Sequence, residues 1–245
     1  MQLSAATWTD VAATDTELAV LPVGSTEQHG PHAPLGTDTM AARAVAETGV
    51  NRYDGAVLLA PPIHVGVSAE HRQFPGTLWV SPDTFRATVR ETVASLASHG
   101  IDRVVVVNGH GGNVDALREV TAEITRHDDA HAVALTWFDA IDAEEMGHAG
   151  AVETALIRHV DPELIREDRI EAASDGASDG WGEWIRGVNL AVDTVEFAGN
   201  GVVGDPSDGD AQRGETLLAK AGDALAEVLE AVASRDLDRQ QSPEN

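Results

Sequence analysis

The sequence predicts an α/β fold, a three-layer α/β/α sandwich on a mostly parallel central sheet. Two observations lead there. Short β-branched runs alternate with longer amphipathic stretches along the chain, and positions 104–107 are four consecutive valines. Alternation of this kind joins parallel strands through crossover helices, and an all-valine strand belongs where both faces of a sheet are covered.

The elements follow in order. Leu18–Val23 is a strand that runs into a loop over 24–38, and 39–48 reads as a helix. Residues 56–60 form the next strand, stopped by Pro61 and Pro62. Ser81 is an N-cap with Pro82 at the first helical position, and that helix extends to Gly100. After the valine strand, 114–125 is helical, 132–138 is a strand, and 152–159 begins another helix. Residues 172–182 are rich in Gly, Ser and Asp and read as a surface loop, and 214–234 is a long amphipathic helix. No repeat or linker divides the chain, so 1–237 is expected to be one domain, followed by a polar tail over 238–245.

With 245 residues and 42% hydrophobic content, the chain can bury a sizeable core. Its 41 acidic residues face 16 basic ones, a formal net charge of -25, and Lys220 is the only lysine. Such a surface repels nucleic acid and anionic lipid, which need clustered Lys and Arg. The acids are spread along the whole chain, as in proteins of salt-filled cytoplasm, where ionic strength screens self-repulsion. The absence of cysteine excludes thiolate catalysis, disulfides and cysteine-bound zinc. No secretory signal and no run of ~20 apolar residues is visible, so a soluble cytoplasmic protein is expected.

Three segments carry chemistry. The densest is Gly24-Ser25-Thr26-Glu27-Gln28-His29-Gly30-Pro31-His32, continuing through Leu35-Gly36-Thr37-Asp38. It follows the C-terminal end of the first strand, where open α/β sheets place ligands. In an extended segment Glu27 and His29 project to one side, a partial site for zinc, manganese or iron, and Asp38 at the next helix could bridge two ions. The plainer alternative makes Asp38 a helix-start acid and His29 a loop histidine. The second segment, Asn108-Gly109-His110-Gly111-Gly112-Asn113, follows the valine strand and aims His110 at the first loop. Its glycines expose amide N–H groups, but it lacks the Lys-Ser/Thr of a phosphate-binding loop and the dinucleotide spacing. The third is His148-Ala149-Gly150-Ala151-Val152-Glu153-Thr154. There His148 is a candidate proton shuttle, and Glu153 is a metal ligand, a base or a first-turn acid facing the helix dipole.

Together these segments resemble the creatininase family of metal-dependent amidohydrolases, along with His71-Arg72-Gln73-Phe74-Pro75-Gly76-Thr77 and Gly201-Val202-Val203-Gly204-Asp205-Pro206. The resemblance spans most of the chain. It implies one or two divalent ions (Zn, Fe or Mn), with Glu27 and His110 on one, His29 on the other and Asp38 bridging. It also implies a homo-oligomer, dimer or hexamer, acting on a small-molecule amide. Creatinine-hydrolysing members carry a ligand glutamate where this chain has Gly112, which argues against creatinine and leaves Glu153 or water to complete the second ion. Installing Gly112→Glu is therefore expected to strengthen that site. The Gly-Gly loop resembles the branch holding the 2-amino-5-formylamino-6-ribosylaminopyrimidinone 5'-phosphate deformylase of flavin and deazaflavin synthesis, the expected function. Creatinine hydrolysis and trimming of a redox-peptide cofactor precursor are the alternatives, and a non-catalytic metal- or ligand-binding protein is the rival from another class. The expected chemistry is metal-assisted amide hydrolysis, with the 109–112 amides holding the oxyanion, His148 protonating the leaving nitrogen and His71 orienting substrate.

Two further patterns are decoys. Gly176-Ala177-Ser178-Asp179-Gly180 fits a serine-hydrolase elbow but lies in an acidic loop, and Asp205, Asp208 and Asp210 lack calcium-loop spacing.

Overall fold

The computed structural model describes residues 1–141 and 146–236, so the tail expected over 238–245 lies outside the described residues. Four parallel strands form the central sheet in the order β2-β1-β3-β4, with β1 Leu18–Val23, β2 Leu58–Leu59, β3 Arg103–Asn108 and β4 His131–Thr136.

The valine strand shows why the fold has three layers. Val105 and Val107 enter one core with helices α2 (Thr37–Arg52), α5 (Ala151–Val160) and α7 (Ala211–Ala233). Val104 and Val106 enter the opposite core with α3 (Pro82–Ala97) and α4 (Val114–His127). Successive strand side chains point to opposite faces, so only an apolar residue at every position serves both cores. A short helix α1 (Trp8–Ala12) precedes the sheet, α6 (Ile170–Asp175) follows α5, and β5 (Trp184–Ile185) pairs antiparallel with β6 (Val188–Asn189).

Several boundaries differ from the sequence reading. β2 is shorter than 56–60 because it is an edge strand, and the N-terminal amine takes the Val57 carbonyl at 2.8 Å. β4 starts at His131 and stops at Thr136, where the chain turns. The expected loop at 172–182 is helical up to Asp175. α2 begins two residues before Thr39, since the Met40 N–H already donates to the Gly36 carbonyl at 2.9 Å. Asp38 therefore sits inside the first helical turn. Ser81 caps α3 as expected, accepting from the Thr84 N–H at 3.2 Å.

The order β2-β1-β3-β4 puts a topological switch between β1 and β3. Their register pairs Val23 with Asn108, so the loops carrying Glu27, His29 and His110 leave the same edge side by side.

Candidate metal centre

Glu27, His29, Asp38, His110, His148 and Glu153, with His71, converge at that edge, all buried. They form three overlapping donor groups: Glu27, Asp38 and His110; His29, His148 and Glu153; and Glu27, His71 and His148. Asp38 joins the halves of the cluster. Its Oδ1 lies 3.1 Å from His29 Nε2 and its Oδ2 lies 3.2 Å from His110 Nδ1. Glu27 Oε1 is 3.2 Å from His110 Nδ1, and Glu153 Oε1 is 3.6 Å from His29 Nε2.

Backbone carbonyls set which ring nitrogen faces inward. His29 Nδ1–H donates to the Glu27 carbonyl at 3.2 Å, and His110 Nε2–H donates to the Val67 carbonyl at 2.7 Å. Each ring then turns a lone pair towards the carboxylates, as imidazole ligands do when a hydrogen bond fixes their tautomer. Both oxygens of Glu27, Asp38 Oδ2, His29 Nε2 and His71 Nε2 are buried with no hydrogen-bond partner. Buried polar atoms are seldom left so, and this donor set suits a divalent cation.

Electrostatics agree. Burial and the neighbouring Asp38 push the Glu27 carboxyl up to about 7 against the pull of His110. Burial opposes charge on His29 and His110, yet the facing carboxylates hold both well above the ordinary histidine value. Burial also works against the Asp38 carboxylate, but His29 and His110 hold it below the usual range.

Glu153 sits at the start of α5 and also faces the donor cluster. Oε2 accepts the Ala149 N–H at 2.6 Å, a helix-start contact, while Oε1 faces His29. The amide N–H of Gly109 donates to Val23 O and that of His110 to Asn108 Oδ1, so neither can hold an oxyanion, which corrects the 109–112 expectation. The adjacent Gly111 and Gly112 remain. His71, expected to orient substrate, lines the cavity and also packs into the cluster. It is fully buried, stacks on His148 with ring centroids 4.5 Å apart, and directs Nε2 towards Glu27 Oε1 at 3.4 Å, so it braces the cluster.

Gln28 belongs to the first motif but has no role in the sequence reading. Its Nε2 lies 3.0 Å from His71 Nδ1, 2.8 Å from His148 Nε2 and 3.0 Å from the Gly201 carbonyl. His148 Nε2 also lies 2.8 Å from the Gln28 carbonyl. Donation there leaves His148 Nδ1 facing Glu27, 3.9 Å from Oε1. Strand-like alternation assigns Gln28 to the outer side, but the loop is not extended: Gly30 has φ 63°. Thr194 Oγ1, 2.9 Å from His71 Nδ1, had no sequence signal.

Gly112 corrects a further expectation. A Cβ there would strike the Val67 carbonyl and lie 2.5 Å from His110 Nε2 and 3.0 Å from Glu70 Oε1. The position has no room for a ligand side chain unless backbone moves.

The ligand-bearing residues open on a cavity of about 350 Å³ walled also by Glu70, Phe138, Met146 and Trp181. Ser178 donates to the Gly180 carbonyl and follows no strand, so the serine elbow is absent. Asp210 caps α7, and Asp205 accepts from the Ser207 N–H, as turn residues do. Among the described residues no helix is long and apolar enough to cross a membrane.

The family model described as "Creatininase: Creatinine amidohydrolase" matches residues 4–229. A mycofactocin precursor peptide peptidase from Mycobacterium ulcerans (strain Agy99) is 37% identical over 212 residues, covering 83% of this chain and 81% of the relative. A 2-amino-5-formylamino-6-ribosylaminopyrimidin-4(3H)-one 5'-monophosphate deformylase from Methanobrevibacter smithii (strain ATCC 35061 / DSM 861 / OCM 144 / PS) is 28% identical over 166 residues, covering 65% of this chain and 66% of the relative. A solved structure described as "Creatininase Mn" superposes with a TM-score of 0.78 at 24% identity, covering 96% of this chain and 99% of that one, so the two share a fold.

Proposed function

The chain belongs to the creatininase family of metal-dependent hydrolases acting on C–N bonds, and on that premise we propose that it is a peptidase trimming a precursor peptide. The observation that carries the catalytic part is the division of the Asp38 carboxylate between His29 and His110, with partnerless buried donors on either side. Glu27, Asp38 and His110 would hold one divalent ion, and His29, Asp38 and Glu153 the other. The bound ions would polarise the scissile carbonyl and acidify water.

The chain's own residues do the rest. Donation of Nε2–H to the Gln28 carbonyl leaves His148 Nδ1 as a proton acceptor, and burial holds the ring below the ordinary histidine value. His148 takes the proton of the attacking water and returns it to the leaving nitrogen, first base and then acid. This is the proton-shuttle role read for His148 from the sequence. The Gln28 carbonyl and the stacked His71 ring fix His148 for that transfer.

The preference for a peptide over the formylamino-pyrimidine nucleotide rests on two facts. The peptidase relative is more similar over more of the chain than the deformylase. No Lys or Arg is among the described residues lining the cavity, so nothing there pairs with a 5'-phosphate. Gly112 keeps creatinine the weaker reading.

The test combines metal analysis of purified protein with turnover of unstructured precursor-type peptides, creatinine and the formylamino-pyrimidine nucleotide. Cleavage of peptide alone is expected. Turnover of the nucleotide without peptide cleavage would overturn the substrate assignment, and full activity after exhaustive chelation would overturn the metal centre.

A further inference from the structure

Glu70 belongs to no donor group of the metal centre, yet it lines the same cavity as Asp38, His110 and Glu153. It occupies the slot beside Gly112, with Oε1 3.0 Å from where a Cβ at that position would stand. A side chain at 112 would meet this carboxylate, so the glycine is what leaves room for it. Its sequence neighbour Arg72 is committed elsewhere, to Asp193 at 2.5 Å.

Charge accounting shows what Glu70 adds. Glu27, Asp38 and Glu153 carry three negative charges within the donor groups, and two bound dications would more than offset them. Glu70 lies outside the donor groups and acts on a charged substrate group by local contact at the cavity wall. The other cavity residues are neutral or imidazole, with Phe138, Met146 and Trp181 as apolar walls. A carboxylate on the wall of a partly enclosed cavity is less screened than in bulk water and acts on charges brought close to it.

We propose that Glu70 is the specificity residue of this cavity, selecting substrates that present an ammonium or guanidinium group beside the scissile C–N bond and disfavouring anionic ones. The peptide substrates of the test rest on the peptidase reading, while the charge selection itself does not.

The experiment uses manganese-loaded wild type and Glu70→Gln, a change that keeps shape and removes charge. Binding of lysine, norleucine and glutamate hydroxamates, metal-chelating compounds whose side chains carry an ammonium, no charge and a carboxylate, is measured by calorimetry. The expected wild-type order is lysine, norleucine, glutamate, with about tenfold between the extremes, shrinking to below about threefold in Glu70→Gln. Metal content should not change. In parallel, kcat and KM are measured on peptides with Lys, Gln or Glu flanking the cleaved bond, and the variant should alter KM ratios more than kcat. An unchanged hydroxamate span in Glu70→Gln, or tighter binding of the glutamate compound by wild type, would overturn the proposal. Selective hydroxamate binding without cleavage of any peptide would uphold it and sink the peptidase reading instead.

Discussion

The Nε2–H of His110 donates to the carbonyl of Val67 at 2.7 Å. That contact turns Nδ1 towards Glu27 and Asp38, and Gly112 lies directly against it. Side chains at 112 should therefore weaken the metal site. Gly112→Ala and Gly112→Glu are both expected to lower metal affinity about 10–100-fold, the usual effect of disturbing a ligand's hydrogen-bond partner. Metal titration checks this, and tighter binding by Gly112→Glu would restore the view that the position accepts a ligand.

Asp38→Asn should be the most damaging conservative change. It keeps the shape of the side chain but removes the charge shared by both halves of the cluster. Loss of at least one ion per chain and a fall in kcat/KM of about 1000-fold or more are expected. Elemental analysis with retained far-UV circular dichroism is the check, and full occupancy would contradict the bridging role.

Gln28→Leu separates positioning from ligation. Both ions should stay bound, while kcat falls about 10–100-fold because His71 loses the Gln28 Nε2 contact that holds the ring stacked on His148. KM should change less than kcat. Normal turnover in this variant would show that the contacts are incidental.

His32 gives the molecule an acid-sensitive point outside the ligand set. Burial first, then the charges of His29 and Arg158, push it down to about 4, while Nε2 meets Thr154 Oγ1 at 2.9 Å. The unfolded chain, with an ordinary histidine near 6.5, takes up the proton first. The contribution is thus complete above 6.5 and lost as pH falls towards 4, at most about 3 kcal/mol. Relative to His32→Gln, wild type should lose stability across that window in denaturant titrations. A pH-independent difference would refute it.

The net charge of -25 leads to the expectation that stability depends on salt. Ion pairs such as Arg86 with Glu119 and Arg90 with Glu123 offset a few acids, and the excess repel one another. The unfolding midpoint should rise by several degrees between 0.1 and 2 M potassium chloride as screening shortens the reach of that repulsion, about 10 Å at the lower concentration. A flat profile would remove the inference of a salt-adapted protein.

By itself the sequence determined the layers and the chemistry of the donors. Four valines in a row require two covered faces, Glu27, His29 and His110 lie in loops that begin where β1 and β3 end, and Asp38 opens the helix after the first loop. Both are local properties, readable from residue type and spacing. Only the tertiary structure decided how the donors pair, because that depends on segments distant in sequence meeting at one sheet edge. The Val67 carbonyl fixes the His110 tautomer, Gln28 reaches His148 and Gly201, Thr194 meets His71, and Glu70 fills the space beside Gly112. None of these contacts leaves a periodic trace, since each depends on the direction of a loop side chain once the strands have set the loops next to each other.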